Sequence, residues 1–367
     1  MINKRSRKGG RAVDCYSLEN CRLFTGTVSS NLTPSAKFMS IRKKLFSTKI
    51  NTIQLDPFGF CNAKCWFCPV KYKPQPEVGL GVMSVSLLEK IFADVDEEKK
   101  KQDGLINPTM DLITTAHYNE VLLYKHVEDL FKILRKYNLK TFVLSNGISL
   151  NKEKVDLIKR YTDVITQVGL NVPAFEKELW ASRSGFSADQ FERLMSNLHY
   201  ADQQFGAMNY NIQIHVNGID NSSFYNMKRG DGFDELGIDL DIVTGEHEKQ
   251  FQLAKKLFPR MRPSKSSLFD RAGSLDILSN QDYLKTHFQS KKVVGCNSWR
   301  GDRVTQWLHI NSAGQPFLCC NDYNFDYVFG DLSKQSLSEI WGSDQHINVL
   351  EKAFGEICTK CTYAVFN

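Results

Sequence analysis

Long hydrophobic runs are absent from this sequence of 367 residues. Its apolar stretches, such as Phe142-Val143-Leu144, are far too short to cross a lipid bilayer, which needs about 20 consecutive apolar residues. Residues 1–8 are mainly polar and basic, so they lack the apolar stretch of a signal peptide. We therefore expect a cytoplasmic protein without a membrane partner.

The sequence also lacks a large excess of charge of either sign. Its 47 lysine and arginine residues and 41 aspartate and glutamate residues give a formal net charge of +6. Part of this charge forms a basic N-terminal arm, which contains Lys4, Arg5, Arg7, Lys8 and Arg11. Such an arm is most often a solvated tail, and five charges do not define a nucleic-acid-binding surface. Nucleic acid is therefore not the partner that we expect.

The ten cysteines do not follow the pattern of a secreted, disulfide-bonded protein, because most fall in tight clusters and no export signal precedes them. Thiolate metal sites explain this clustering better. Cys15 and Cys21, six positions apart, are interpreted instead as small apolar fillers or free thiols.

The first cluster contains Cys61, Cys65 and Cys68, spaced C-x3-C-x2-C shortly after the largely apolar run at residues 50–55. Three thiolates on one short loop can bind three irons of a 4Fe–4S cube and leave the fourth iron open to another ligand. A closed cluster or a zinc site needs a fourth ligand, and the nearest downstream histidine is His117. The alternative is that three buried or zinc-binding cysteines share this spacing by accident.

This spacing, with an aromatic residue before the third cysteine and a strand before the first, resembles the radical S-adenosylmethionine (SAM) superfamily. The resemblance implies that the open iron chelates SAM and that one electron cleaves SAM to a 5′-deoxyadenosyl radical, which abstracts a substrate hydrogen atom. It also implies an electron donor such as flavodoxin or ferredoxin. Phe67 would lie against the adenine edge by this resemblance, although apolar packing alone also explains it.

The chain exceeds the length that one hydrophobic core usually organises, so we expect a large and a smaller domain. Short β-branched or aromatic runs alternate with amphipathic stretches, which favours strand–helix repeats around a parallel sheet. The resemblance implies a partial (β/α)6 TIM-like barrel, with its chemistry at the carboxyl ends of the strands. The predicted strands are residues 50–55, 109–115, 139–145, 163–170 and 210–216. The predicted division is an irregular N-terminal extension at 1–48, the barrel at 49–285 and a C-terminal domain at 286–367.

The end of the second predicted strand departs from the pattern of the family. Tyr118-Asn119-Glu120-Val121 stands where the family usually has Gly-Gly-Glu-Pro, whose carboxylate or backbone holds the SAM ammonium group. Glu120 takes the matching place. Without the glycines the backbone cannot approach SAM in the usual way, so a solvated carboxylate at a helix start is the alternative for Glu120.

Two further stretches resemble SAM-binding elements of the family. Ser145-Asn146-Gly147 follows the third predicted strand and resembles the turn whose short polar side chains reach the ribose hydroxyls, although the triplet is also an ordinary turn signal. Arg183 resembles the family's arginine near the SAM ribose and carboxylate. Arginine suits a carboxylate because its planar guanidinium donates two parallel hydrogen bonds. An exposed charge at a helix end is the alternative for Arg183.

The second cysteine set contains Cys296, Cys319, Cys358 and Cys361, with Cys320 as a spare. Its chemistry alone suits either a zinc ribbon or an iron–sulfur cluster. The sequence of residues 296–361 resembles the SPASM/Twitch auxiliary-cluster domain, in the shortened form with a single 4Fe–4S cluster. By this resemblance, the cluster would act as an electron conduit or acceptor. Cys320 is a weak catalytic candidate, because it could be a swapped ligand, a hydrogen-atom donor or a packed thiol.

The leading functional prediction is a radical SAM oxidoreductase that oxidises or remodels a C–H bond of a small polar or sugar-like substrate. A peptide- or protein-modifying maturase is the alternative within the family. A non-catalytic zinc- or nucleic-acid-binding protein is the alternative from another class. His117, Tyr118 and His215 are acid–base candidates on the substrate side, but ordinary packing explains each of them as well.

Overall fold

The computed structural model describes residues 41–76, 81–219, 240–269, 271–275, 292–297, 301–361 and 363–367. The basic arm, Cys15, Cys21 and the predicted boundary at residue 285 lie outside the described residues. Within the described part of the chain, no helix is long and apolar enough to span a membrane.

A single large sheet organises the described chain, in the strand order β6-β5-β4-β3-β2-β1-β8-β9. All neighbouring strands from β6 to β8 pair in parallel, and only β9 is antiparallel to its neighbour. β7 and β10 form a separate antiparallel pair. The strands are β1 (Thr52–Leu55), β2 (Leu112–Thr114), β3 (Lys140–Ser145), β4 (Ile165–Asn171), β5 (Ile212–Gly218), β6 (Arg262–Ser267), β7 (Val293–Cys296), β8 (Trp307–Ile310), β9 (Pro316–Phe317) and β10 (Ala364–Phe366).

Helices follow or separate these strands, as parallel crossovers require. The helix that precedes β3 shows why they form: its residues Leu130, Phe131 and Leu134 recur at helical spacing and are buried, and its last turn is basic. The helices are α1 (Ile41–Ser47), α2 (Val85–Lys100), α3 (Val127–Lys136), α4 (Lys152–Arg160), α5 (Lys177–Ser184), α6 (Phe191–Ala207), α7 (Leu240–Leu257), α8 (Arg303–Gln306), α9 (Leu337–Ile340) and α10 (Asp344–Gly355).

Strand β5 is buried on both of its faces, and one of these faces is polar. In β5 the apolar residues alternate with Gln213, His215 and Asn217, yet every residue of the strand is buried. Gly169 of β4 makes room for this layer, because a Cβ atom there would lie 2.9 Å from Nε2 of His215. The strand–helix alternation predicted from the sequence is thereby confirmed, with strand bounds shifted by a few residues.

The C-terminal segment joins the same sheet. β8 pairs with β1 in parallel, in a register that sets Thr52 against Trp307, and β9 extends the sheet beyond it. β10 then pairs with β7 so that Ala364 lies opposite Cys296. The segment that carries the second cysteine set is therefore connected to β1, the strand that precedes the first set, through β8.

Candidate functional site

The loop that carries the first three cysteines follows β1 and is fixed to the end of α5. The backbone N–H of Lys64 donates to the carbonyl of Ser184 at 2.9 Å, and that of Trp66 donates to the carbonyl of Arg183 at 2.8 Å. Gly185 ends the helix with φ near +74°, and a Cβ atom there would lie 2.7 Å from Cβ of Lys64. A side chain at residue 185 would therefore push the cysteine loop away.

The three thiols of this loop lie together in a desolvated environment. Burial raises the pKa of Cys61 to about 12 and that of Cys68 to about 11. The pKa of Cys65 is raised well above its usual value by burial first and then by the charges of Cys68 and Cys61. Thiolates that are costly to form alone are stabilised when a metal ion binds them. The donor set therefore fits a thiolate-bound metal group.

Glu120 is buried rather than solvated, with 1% of its surface exposed. Its Oε2 accepts a 2.8 Å hydrogen bond from the backbone N–H of Asn146, while its Oε1 has no hydrogen-bond partner among the described residues. Burial raises its pKa to about 7. The interpretation of Glu120 as a solvated helix-start charge is therefore wrong, and the second carboxylate oxygen is available for a cationic group.

The Ser145-Asn146-Gly147 turn connects Glu120 to the cysteine loop. Oγ of Ser145 accepts from the backbone N–H of Gly147 at 3.1 Å, which forms the turn. Nδ2 of Asn146 donates to Oδ1 of Asn62 at 2.8 Å, next to Cys61. The structure thus brings the predicted carboxylate, the predicted turn and the cysteine loop together.

Arg183 and Phe67 are both partly buried. Nη1 of Arg183 donates to the carbonyl of Pro173 at 3.1 Å, and its guanidinium lies 5.3 Å from the ring centre of Trp66. Burial lowers the pKa of Arg183, so this residue is not an exposed charge at a helix end. Phe67 packs against an apolar cluster that includes Ile219 and Leu268.

The segment after β2 contacts the second cysteine set directly. Nδ1 of His117 lies 2.6 Å from Oδ2 of Asp56, and its Nε2 lies 3.1 Å from the carbonyl oxygen of Cys320. The hydroxyl of Tyr118 donates to the same carbonyl at 2.7 Å. His215, the third acid–base candidate, is deeper in the sheet, with Nδ1 2.8 Å from Oγ of Ser264. His117 and Tyr118 therefore link the two cysteine regions.

The cysteines of the second set also interact with one another, and the four predicted ligands are partly buried. Burial raises the pKa of Cys296 to about 12, and the charge of Cys361 raises it further. Cys319 interacts electrostatically with both Cys358 and Cys361, and burial again raises its pKa most. Cys320 differs from these four in its hydrogen-bond donor, because its Sγ accepts from a guanidinium, Nη1 of Arg303, at 2.8 Å.

Within the described residues, no group of three or more histidine, cysteine, aspartate or glutamate side chains is close enough to hold a single metal ion. Cysteines that hold a cluster each bind a different iron, so they are spaced more widely than the ligands of one ion.

A cleft of about 560 Å³ opens beside the second cysteine set. Its lining is mostly polar, with Lys73, Ser274, Asn321, Asn324, Glu356 and Thr359 among its residues. Tyr323, which also lines it, interacts electrostatically with Cys68 and Cys61 and contacts the ring of Tyr118 edge-on at 4.9 Å. The cleft thus extends from the auxiliary cysteine region toward the first cysteine loop.

Sequence reasoning missed several residues of this region. Asn62, Tyr323 and Arg303 contact the site through partners that are distant in the chain, and no local spacing marks them. Asn62 lies inside the cysteine motif and could have been considered as a polar loop residue. The other two carry no signal in a single sequence.

Comparison with known proteins identifies both regions. The family model of the radical SAM superfamily matches residues 55–241, slightly more than half of the chain. A model of the SPASM iron–sulfur cluster-binding domain matches residues 296–362. The first match includes the C-x3-C-x2-C motif, and the second spans the four remaining predicted ligands.

Solved structures with this fold are remote in sequence. SuiB of Streptococcus suis bound to the precursor peptide SuiA is 13% identical with a TM-score of 0.53, over 88% of this chain and 71% of SuiB. Native anSMEcpe with bound AdoMet is 14% identical with a TM-score of 0.51, over 84% and 86% of the two chains. BtrN in complex with AdoMet and 2-DOIA is 14% identical with a TM-score of 0.49, over 86% and 93%.

At these identities the structural likeness shows the fold alone, and no curated protein matches the sequence. The fold confirms the predicted barrel class with a C-terminal cluster-binding domain. The two family models together account for both cysteine regions and establish SAM and iron–sulfur clusters as cofactors. The chain therefore belongs to the radical SAM superfamily and is an enzyme with a C-terminal SPASM domain.

Proposed function

We propose that this enzyme oxidises or remodels a C–H bond of a small polar or sugar-like substrate. The observation that carries the proposal is the cleft beside Tyr323, because its volume of about 560 Å³ suits a small molecule and its lining is mostly polar. The cleft extends to a tyrosine that interacts with Cys68 and Cys61. A substrate bound against Tyr323 would therefore lie near the first cysteine loop.

Cys61, Cys65 and Cys68 hold the SAM-binding 4Fe–4S cluster in this proposal, and Cys296, Cys319, Cys358 and Cys361 hold the auxiliary one. When bound, the first cluster and SAM supply a 5′-deoxyadenosyl radical that takes a hydrogen atom from the substrate. The chain orients SAM through Glu120 and the Ser145–Asn146 turn, and Arg183 and Phe67 stay candidates for further contacts. Asn62 supports this arrangement, because it fixes Asn146 beside the cluster loop.

Substrate-dependent SAM cleavage tests the proposed substrate class. The reconstituted, reduced enzyme is incubated with SAM and either a panel of polyols, sugars and aminocyclitols or a panel of peptides. Formation of 5′-deoxyadenosine is measured, and the active compound is then supplied in deuterated form. Deuterium in 5′-deoxyadenosine from a small polar compound supports the proposal. Transfer only from peptides would instead favour the peptide-modifying alternative.

Closing the cleft should separate substrate binding from SAM cleavage. Asn324 is exposed at the cleft, so Asn324→Trp adds bulk there without touching either cysteine set. Steric overlap of about 1–3 kcal/mol corresponds to a loss of roughly fivefold to hundredfold in product formation. Uncoupled 5′-deoxyadenosine formation should stay unchanged. Glu351→Trp, at an exposed position of α10 outside the cleft, is the matched control and should leave both rates unchanged.

Glu120 predicts a pH dependence of SAM binding. Burial holds its pKa near 7, so the carboxyl is protonated below that pH and ionised above it. Only the ionised form attracts the SAM ammonium group. The affinity for SAM should therefore fall as the pH decreases through 7, by up to about tenfold for each pH unit below it.

Anaerobic equilibrium dialysis with labelled SAM between pH 5.5 and 8.5, chosen as roughly 1.5 units either side of that pKa, measures this effect. Glu120→Gln should bind SAM more weakly than the parent and should lose the pH dependence. Glu153→Gln, which changes an exposed carboxylate in the first turn of α4, should behave like the parent. An identical pH profile in Glu120→Gln would exclude Glu120 as the SAM ligand.

A further inference from the structure

Arg303 is a buried cation in the middle of the second cysteine set. It is the first residue of α8, and only 7% of its surface is exposed. Nη1 donates to Sγ of Cys320 at 2.8 Å, and the charge of Arg303 also acts on Cys296. Its charge also interacts with Cys319. Three cysteines of the C-terminal region therefore surround this one arginine.

No carboxylate forms an ion pair with Arg303 among the residues that the structure describes. The adjacent Asp302 instead forms an ion pair with Lys44. The guanidinium lies 4.7 Å from the ring centre of Tyr363 and 5.3 Å from that of Trp307, and in the described structure Nε has no hydrogen-bond partner. Aromatic faces offset only part of the cost of burying a charge.

A buried guanidinium of this kind needs a negative charge nearby. Cys296, Cys319 and Cys320 are thiols near Arg303 that can supply one, and a thiolate-ligated iron–sulfur cluster is negatively charged. Net charge and hydrogen bonds near the sulfur atoms are among the factors that set the reduction potential of such a cluster. A fixed cation favours the reduced form, because that form carries one more negative charge.

We propose that Arg303 raises the reduction potential of the auxiliary cluster and so makes it an electron acceptor during substrate oxidation. This inference rests on the proposed oxidative function. The substrate loses one hydrogen atom to the 5′-deoxyadenosyl radical, then one proton to a base and one electron to the auxiliary cluster. The substrate is thereby oxidised by two electrons, and the cluster is reduced by one. Arg303 is a positioning residue in this scheme, since it acts through the cluster.

The test is the midpoint potential of the auxiliary cluster, measured by redox titration of the holoenzyme with electron paramagnetic resonance. Addition of SAM identifies the signal of the other cluster, because SAM binds there. Arg303→Met keeps most of the side-chain length and removes the charge. A lost charge-assisted contact of about 1.4 kcal/mol changes the one-electron equilibrium tenfold, which is about 59 mV. We expect a shift of this size toward more negative potential, and a smaller one in Arg303→Lys.

Two controls keep the test specific. Arg135→Met removes an exposed arginine that pairs with Asp163 far from the cysteines, and it should leave both potentials unchanged. The potential of the SAM-binding cluster should not change in Arg303→Met either. If Arg303→Met loses auxiliary iron, the potential is measured in Arg303→Lys instead. That variant keeps the positive charge but changes its position relative to the cysteines.

An unchanged auxiliary potential in a variant with full iron content would overturn the proposal. A raised KM for substrate at an unchanged potential would also overturn it, and would assign Arg303 to substrate binding instead. The titration needs no substrate, so an error in the proposed substrate class does not affect its result. Conversely, a shifted potential with no product from any small polar compound would retain the role of Arg303 and contradict the proposed function.

Discussion

Replacing Cys65 with alanine should abolish SAM cleavage. Cys65 is the most deeply buried thiol of the first set and interacts with both other thiols of its loop. Two thiolates cannot hold a 4Fe–4S cube with one iron presented to SAM. The variant should therefore form no 5′-deoxyadenosine and should contain roughly four irons per chain instead of roughly eight, since two cubane clusters are proposed.

Lys64→Ala is the matched control for this variant, because it changes an exposed residue of the same loop that supplies no thiolate. It should retain SAM cleavage and full iron content. Circular dichroism establishes that Cys65→Ala keeps its fold. If folded Cys65→Ala still forms 5′-deoxyadenosine at the rate of the parent, the assignment of the first cysteine set is wrong.

The local parts of this site are predictable from the sequence because they depend on short-range spacing. The strand before the first cysteines is predicted at residues 50–55 and is found at Thr52–Leu55, since an alternating run with β-branched residues favours a buried strand. The C-x3-C-x2-C loop follows it, as predicted. The Ser145-Asn146-Gly147 turn also follows its strand, because Gly147 adopts a positive φ that such a turn requires.

The long-range parts are not predictable in this way. The pairing of β1 with β8 joins Thr52 to Trp307 across about 250 residues, and nothing in either stretch specifies that partner. The burial of Glu120 depends on the same kind of packing, because its neighbours come from separate strands. The local sequence favoured neither of two interpretations of Glu120, a solvated carboxylate or a SAM ligand. The folded chain buries this carboxylate and leaves one of its oxygens without a hydrogen-bond partner among the described residues.

The contact between the two cysteine regions is the most informative result of this packing. His117 and Tyr118 both reach the carbonyl of Cys320, which is adjacent to the predicted auxiliary ligand Cys319. Glu120 lies two residues beyond Tyr118 in the same segment. A change in the auxiliary region can therefore be transmitted through only a few residues to Glu120, the proposed SAM contact. This link determines how a loss of the auxiliary cluster should be interpreted.

Replacing Cys358 and Cys361 together with alanine should remove one cluster and uncouple SAM cleavage from product formation. The two cysteines lie in one turn, in which the N–H of Cys361 donates to the carbonyl of Cys358 at 3.1 Å. The proposed SAM contacts lie between residues 67 and 183, so the first cluster should remain. Without an electron acceptor the substrate radical must be quenched by another donor. Product formation should therefore fall far more than 5′-deoxyadenosine formation.

The measurement compares 5′-deoxyadenosine, product and iron content in the double variant and the parent. Glu351→Ala changes an exposed residue of α10 outside the cleft and should leave all three quantities unchanged. An equal loss of both products, with only one cluster missing, would mean that the auxiliary region helps to build the SAM site, for which the contacts of His117 and Tyr118 with Cys320 offer a direct route. Unchanged product formation would instead mean that the C-terminal cluster has only a structural role. An enzyme that needs this cluster as its electron acceptor cannot turn over without it.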